Sequence, residues 1–173
     1  RVDLVITIRE GARYTVARIG FGKMTVFKAS ELSPALTLNA GAGYSVTKMR
    51  ADIRTIRSYY GSRGYADAAV SPDIRNVTAT SVSITYRVVE GRRYRVGRVT
   101  IEGNDKTQDR VIRRELPMQP GDHLNSVEMD TTRRRLKNMN YFNDVQVSAS
   151  PSVQAGYRDI NILVNEKKTG SIS

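Results

Sequence analysis

Glu10-Gly11-Ala12-Arg13-Tyr14-Thr15-Val16-Ala17-Arg18-Ile19 returns 80 residues later as Glu90-Gly91-Arg92-Arg93-Tyr94-Arg95-Val96-Gly97-Arg98-Val99. A period of that length exceeds those of helical solenoids and suits a small domain. The 173-residue chain therefore reads as two copies of one module in tandem. Function is then to be sought on the surfaces of the module rather than in a single active site.

Working outward from the repeat, three segments alternate strictly between apolar and polar residues: Val2/Leu4/Ile6/Ile8, Val82/Ile84/Tyr86/Val88 and Ile160/Ile162/Val164. Alternation with period two marks half-buried strands with one wet face. The first two run straight into Glu-Gly, and each reads as the last strand of a module. The expected organisation is thus residues 1–11 as the last strand of a preceding module, 12–90 and 91–168 as two complete modules, and 169–173 as the start of a linker. A second strand follows each Glu-Gly, over Tyr14–Phe21 and Tyr94–Glu102.

Helical patterns come next. In the second copy Thr107 is placed to cap a short helix carrying Val111, Ile112 and Leu116, which Pro117, Pro120 and Gly121 end. Asn125 with Glu128 three residues on opens a longer helix, with Met129, Thr132, Leu136 and Met139 on one face. In the first copy Ser33-Pro34 suggests a short helix, and Val46, Met49, Ile53, Ile56 and Tyr60 follow helical spacing. Short strands are expected at Ala66–Ser71 and Asp144–Ser150. The fold class is α+β: two tandem β-α-α-β-β modules, each with two helices covering one face of a small sheet.

Composition narrows the functional classes. The net charge is +11, with 13 cationic and 7 anionic side chains in residues 1–90 and 15 and 10 in 91–173, so the excess is spread over both copies. It favours anionic partners. There is no cysteine, which removes disulfides, thiolate catalysis and cysteine-based zinc sites. No run approaches the roughly 20 apolar residues of a membrane-spanning helix. His123, the single histidine, sits in a Gly-Asp-His turn as a loop residue. No cluster has metal-ligand spacing and no glycine loop precedes a helix in a phosphate-binding pattern, so neither an enzyme nor a cofactor is expected.

Tyr94-Arg95-Val96-Gly97-Arg98-Val99-Thr100-Ile101-Glu102-Gly103-Asn104-Asp105, followed by Val111-Ile112-Arg113-Arg114-Glu115-Leu116, Gly121, Arg135-Leu136 and Tyr141-Phe142-Asn143-Asp144-Val145, resembles the POTRA domains of BamA-type outer-membrane β-barrel assembly factors. The second copy is similar to the barrel-proximal module and the first, through Tyr59-Tyr60 and Arg63-Gly64-Tyr65, to the penultimate one. Glu166-Lys167-Lys168-Thr169-Gly170-Ser171 resembles the junction into the first barrel strand. The resemblance implies a three-stranded mixed sheet in each module and a non-enzymatic scaffold on the periplasmic side of the bacterial outer membrane. Its implied partners are nascent outer-membrane proteins, accessory assembly lipoproteins and a C-terminal membrane β-barrel of the same chain.

The resemblance also implies where such partners bind. The strand before the last lies at a sheet edge, where an unfolded client adds a strand by backbone hydrogen bonding. The residues are Ala68, Ala69 and Val70 in the first copy and Val145, Gln146 and Val147 in the second. Lipoprotein docking falls on Arg110, Arg113, Arg114 and Glu115, with Pro120 standing where relatives often carry an acid. Glu90 and Gly91 form the expected hinge, glycine permitting a tight turn. Arg133-Arg134-Arg135 and Lys137 are the densest cationic cluster and a candidate for anionic lipid headgroups, each exposed cation being worth about 1 kcal/mol near such a surface.

Other readings are weaker. Another POTRA carrier, such as a secretion or translocation-assembly transporter, shares the fold. A basic RNA-binding module would explain the charge, and Gly61-Ser62-Arg63-Gly64 matches the GxxG of a nucleic-acid-clamping loop. That loop joins two helices, whereas here the tetrad leads into a strand, and its simpler role is to end a helix. No nucleic acid is therefore expected as a partner.

Overall fold

The computed structural model describes residues 11 and 13–168. The strand expected at Val2–Ile8 and the linker expected at 169–173 lie outside them. In chain order the elements are β1 (Thr15–Phe21), α1 (Ala29–Leu32) continued by a 3-10 turn (Ser33–Ala35), α2 (Val46–Gly61), β2 (Ala69–Thr78), β3 (Ser81–Val89), β4 (Arg95–Glu102), α3 (Asp109–Arg113), α4 (Ser126–Asn138), β5 (Phe142–Pro151) and β6 (Tyr157–Glu166). They form two three-stranded sheets, ordered β1-β3-β2 and β4-β6-β5. In each, the last strand in sequence is central. β1 pairs with β3 in parallel (Val16 opposite Val82, Phe21 opposite Tyr86), and β4 with β6 (Val99 opposite Ile160, Ile101 opposite Ile162). Both parallel pairs carry a register shift just after their second residue. The expected mixed three-stranded sheet recurs in both copies.

The described residues fall into two compact units, one of residues up to 55 with 70–88, the other of 56–69 with 89 onward. In the first, Val16, Leu32, Leu38, Met49, Val82, Ile84 and Tyr86 are buried, the strand residues in strict alternation. Asp52 is fully buried among them. Its carboxylate accepts hydrogen bonds from the backbone N–H of Thr37 (2.6 Å) and Leu38 (3.1 Å), the Thr37 hydroxyl (2.7 Å) and the Tyr86 hydroxyl (2.9 Å). Burial and the hydrogen bond to Asp52 raise the Tyr86 phenol far above its ordinary range, so it stays a donor.

In the second unit, Val96, Ile112, Leu116, Leu124, Leu136, Phe142, Val145, Ile160, Ile162 and Val164 form the core, with Ala66 and Met139 packed at its margin. Asn125 caps α4 as expected, its Oδ1 accepting from Val127 (3.1 Å) and Glu128 (3.0 Å). Met129, Thr132 and Leu136 are buried, and Thr132 donates to the Glu115 carbonyl at 3.0 Å.

Three local expectations need correction. Thr107 does not cap α3: the cap position is Gln108, which makes no side-chain cap bond. The N–H groups of Lys106 and Thr107 instead reach the Glu166 carboxylate (3.0 and 2.7 Å), supplied from about 60 residues away. Leu116 lies beyond α3, whose helical geometry ends at Arg113. β2 and β5 are ten residues each rather than short, and β2 starts only at Ala69 because Tyr65–Ala68 are used to close α2: the N–H of Tyr65 donates to Tyr60 O and that of Ala68 to Tyr65 O. Gly64, at φ 97°, makes that turn possible, giving the GxxG tetrad its role as helix terminator.

Candidate protein-binding edges and surfaces

β2 and β5 are each the terminal strand of their sheet, and among the described residues no strand pairs to their outer sides. For β5 the alternation of the ladder shows which groups face out. The Ser152 N–H donates to Tyr157 O (3.3 Å), and Ser150, Ala149, Ser148, Val147, Gln146 and Val145 then oppose Asp159, Ile160, Asn161, Ile162, Leu163 and Val164 in order. Antiparallel pairs alternate between bonded and non-bonded, so Gln146, Ser148 and Ser150 bond inward to β6. Val145, Val147 and Ala149 turn their N–H and C=O to the open edge, while the Val145 side chain is buried in the core. Of the residues expected there, Val145 and Val147 present backbone groups and Gln146 does not. Ala149, a further edge residue, was legible only once the register was known.

β2 offers a different edge. Ala69 and Val70 begin it, whereas Ala68 precedes the strand and is buried. Pro72 lies within β2 and removes one donor, since a proline in a sheet must direct its missing N–H away from its neighbour. Ile74 and Val77 are exposed beyond it. On the helix-free face Asp73 binds Arg87 (2.6 Å) and Arg75 (3.2 Å), and these two guanidinium groups hold its carboxyl below the usual carboxylate range.

The opposite edges are partly covered. The N–H of Val16 donates to Ala42 O (2.8 Å) and that of Gly41 to Val16 O (2.7 Å); in the second sheet Val96 N–H donates to Asp122 O (2.8 Å) and Gly121 N–H to Val96 O (2.8 Å). His123 lies in this second cover, bridged to Arg95. Burial, helped by the charges of Arg93 and Arg95, pushes its imidazole below the ordinary range, and its Nδ1 is buried without a hydrogen-bond partner.

The α3 surface divides its arginines. Arg110 is exposed, and Arg114 is exposed with a 3.5 Å contact to the Glu115 carboxylate. Arg113 is half-buried and donates to the carbonyls of Leu116 (3.0 Å) and Met118 (2.8 Å), tying down the segment that follows the helix. Around α4, Arg133 and Arg134 both contact Asp130 (3.0 and 3.4 Å), so part of that cluster is locally neutralised.

At the expected hinge, Gly91 has φ 70° and Glu90 accepts a hydrogen bond from the Tyr60 hydroxyl (2.8 Å). Within the same compact unit Arg158 grips Asp67 with two bonds (2.8 and 2.7 Å) and lies 4.0 Å over the Tyr94 ring. Asp67 raises the pKa of that guanidinium further. No composition or spacing signal pointed to Asp67 or Arg158. They are 91 residues apart.

This architecture is matched by known proteins. The POTRA family (surface antigen variable number repeat) matches residues 14–91 and again residues 94–167. The chain belongs to the POTRA family. Among curated proteins it is 28% identical over 173 residues to the "Outer membrane protein assembly factor BamA" of Neorickettsia risticii, covering 99% of this chain and 23% of that protein. It is 29% identical to the protein of the same description from Neisseria meningitidis serogroup B, covering 96% and 21%. The chain thus spans less than a quarter of either relative. Among solved structures, BamA from Haemophilus ducreyi lacking POTRA domains 1–3 superposes with TM-score 0.75 at 29% identity, over 92% of this chain and 30% of that one. BamA POTRA3-5 of Haemophilus influenzae gives TM-score 0.78 at 24% identity over 88% and 61%, a likeness of fold. The chain is a pair of POTRA domains similar to those of BamA proteins.

Proposed function

We propose that these two POTRA domains are part of a non-enzymatic scaffold for outer-membrane protein assembly, on the periplasmic side of the bacterial outer membrane. Its clients are unfolded β-barrel proteins, its partners accessory lipoproteins, and a membrane β-barrel follows in the same chain. The observation that carries client binding is the open outer side of β5, where Val145, Val147 and Ala149 turn their backbone groups away from β6. Each backbone bond to an added strand contributes about 0.5–1.5 kcal/mol net, so three residues hold a client weakly and release it readily. Ala69 and Val70 offer a second, shorter run that Pro72 ends. Exposed Arg110 and Arg114, with Glu115, form the lipoprotein-docking surface, Arg113 supporting it from beneath. Glu90 and Gly91 are the pivot, Gly91 standing in the left-handed region that a glycine permits.

The test uses a synthetic ten-residue strand from an outer-membrane barrel protein. It is expected to bind with weak, salt-tolerant affinity, and to lose binding when alternate amides are N-methylated or when Ala149→Pro removes an outward donor. Equal binding of the methylated peptide would overturn strand addition. Arg114→Glu should leave peptide binding intact while weakening capture of the lipoprotein partner. A steep gain of affinity for RNA at low salt would instead favour the nucleic-acid reading.

A further inference from the structure

A second recognition feature lies at the end of the second sheet from which the chain leaves. The loop after β4, helix α3 and the turn between α4 and β5 enclose an open cleft of about 800 Å³. Val111 and Met139 line it with apolar surface, and the Tyr141 ring, 57% exposed, stands beside them. Arg114, Lys106, Lys167 and Lys168 also border it. Glu166 is the one carboxylate among the lining residues, and its oxygens already accept the N–H groups of Lys106 and Thr107. A bond from the Thr107 side chain, followed by those two backbone bonds, keeps the carboxyl below its ordinary range, so it stays ionised with its oxygens already engaged.

We propose that this cleft docks an acidic amphipathic segment of a partner protein, apolar side chains seated on Val111, Met139 and Tyr141 and carboxylates on the cationic rim. The proposal does not rest on strand addition at β5. Charge complementarity selects the acidic guest, and the apolar floor selects a peptide over a phosphate headgroup, which would leave that floor unfilled. The walls are preformed. The Lys167 N–H donates to Tyr141 O at 2.9 Å, Lys167 Nζ bonds to Asn140 Oδ1, and Tyr141 packs edge-on against the buried Phe142 at 6.2 Å between centroids. A rigid exposed aromatic beside a groove is the kind of residue that carries interface affinity at low ordering cost.

The probe is a fluorescein-labelled synthetic peptide of alternating glutamate and leucine with one phenylalanine, titrated against the whole chain. Saturable binding is expected, with amide shifts at Val111, Met139 and Tyr141. Tyr141→Ala and the pair Lys167→Glu with Lys168→Glu should each weaken it about tenfold. Arg98→Glu, the same kind of charge reversal on the helix-free face of the sheet, should change it little, as should Ala149→Pro. Loss of binding in Ala149→Pro would place the peptide on the strand edge and overturn the proposal. So would equal losses from Arg98→Glu and the lysine pair with none from Tyr141→Ala, or binding of anionic lipid vesicles in place of the peptide. Circular dichroism of each variant separates lost binding from lost folding. If Tyr141→Ala unfolds, the lysine pair set against Arg98→Glu still decides.

Discussion

Asp52 and Thr132 stand 80 residues apart at the same place on the long helix of each repeat, and both are fully buried. In the first repeat the polar group is a carboxylate that gathers four donors, one of them the hydroxyl of Tyr86, which lies opposite Phe21 in the sheet. In the second it is a hydroxyl with one acceptor, and the strand position opposite Ile101 holds Ile162. One backbone plan thus tolerates two cores. The first spends hydrogen-bonding capacity to pin the loop at Thr37 and Leu38, and the second relies on apolar packing. Buried polar groups are costly only when unpaired, so removing an acceptor should hurt the first repeat far more than the second.

That contrast sets the largest expected effect. Asp52→Ala strands two backbone N–H groups and a buried phenol, and should lower the stability of the first repeat by about 3 kcal/mol or more, whereas Thr132→Val should cost about 1 kcal/mol. Urea unfolding with residue-resolved amide exchange at Thr37 and Leu38 reads both. Comparable losses would dissolve the contrast. The double change Asp52→Thr with Tyr86→Ile, which copies the second repeat, should cost less than the sum of its parts, because the two side chains share one bond.

Next in size is a backbone contrast after the first strand of each repeat. Gly103 has φ 86°, and an added Cβ would lie 2.0 Å from the Val164 carbonyl oxygen; at Gly22 the nearest atoms are 3.7 Å away. Gly103→Ala should therefore destabilise by about 2 kcal/mol or more, and Gly22→Ala by no more than about 0.5 kcal/mol. Thermal melts of the two variants check this.

The smallest effects are electrostatic. The Glu166 carboxyl is held down by hydrogen bonds from Thr107 and Lys106, and that of Asp73 by Arg87 and Arg75. Because folding depresses both pKa values, both groups favour the folded state at neutral pH, and that contribution fades as pH falls through the depressed values, below the ordinary 4.5 and 3.8. Ion pairs are screened more than bonds to N–H groups. Carboxyl NMR titration should show added salt moving Asp73 upward and Glu166 less. Equal movement would remove the distinction.

What the sequence showed clearly was whatever depends on neighbours. Alternation placed Val82, Ile84, Tyr86, Ile160, Ile162 and Val164 in the cores, and Asn125 announced α4 because its bonds reach only two and three residues on. What stayed hidden depends on distant partners. Glu166 supplants a cap at Thr107, Asp67 meets Arg158, and Asp52 meets loop N–H groups that any residue could have supplied. Arg113 read as a surface cation, but its guanidinium is spent on two carbonyls, which helical spacing does not reveal. The edge residues were half legible: strand position followed from the pattern, but the direction of each N–H required the register.

The central place of β6 bears on how the second repeat comes into being. β4 can find its parallel neighbour only after about 60 further residues exist, and β5 has none until the hairpin closes. A chain growing from its amino end therefore carries two unpartnered ribbons until Tyr157 and the residues after it have emerged, and pairing over such separations is slow. Ending synthesis before β6 should leave an aggregation-prone fragment, so the domain's completion is a late event governed by its final strand.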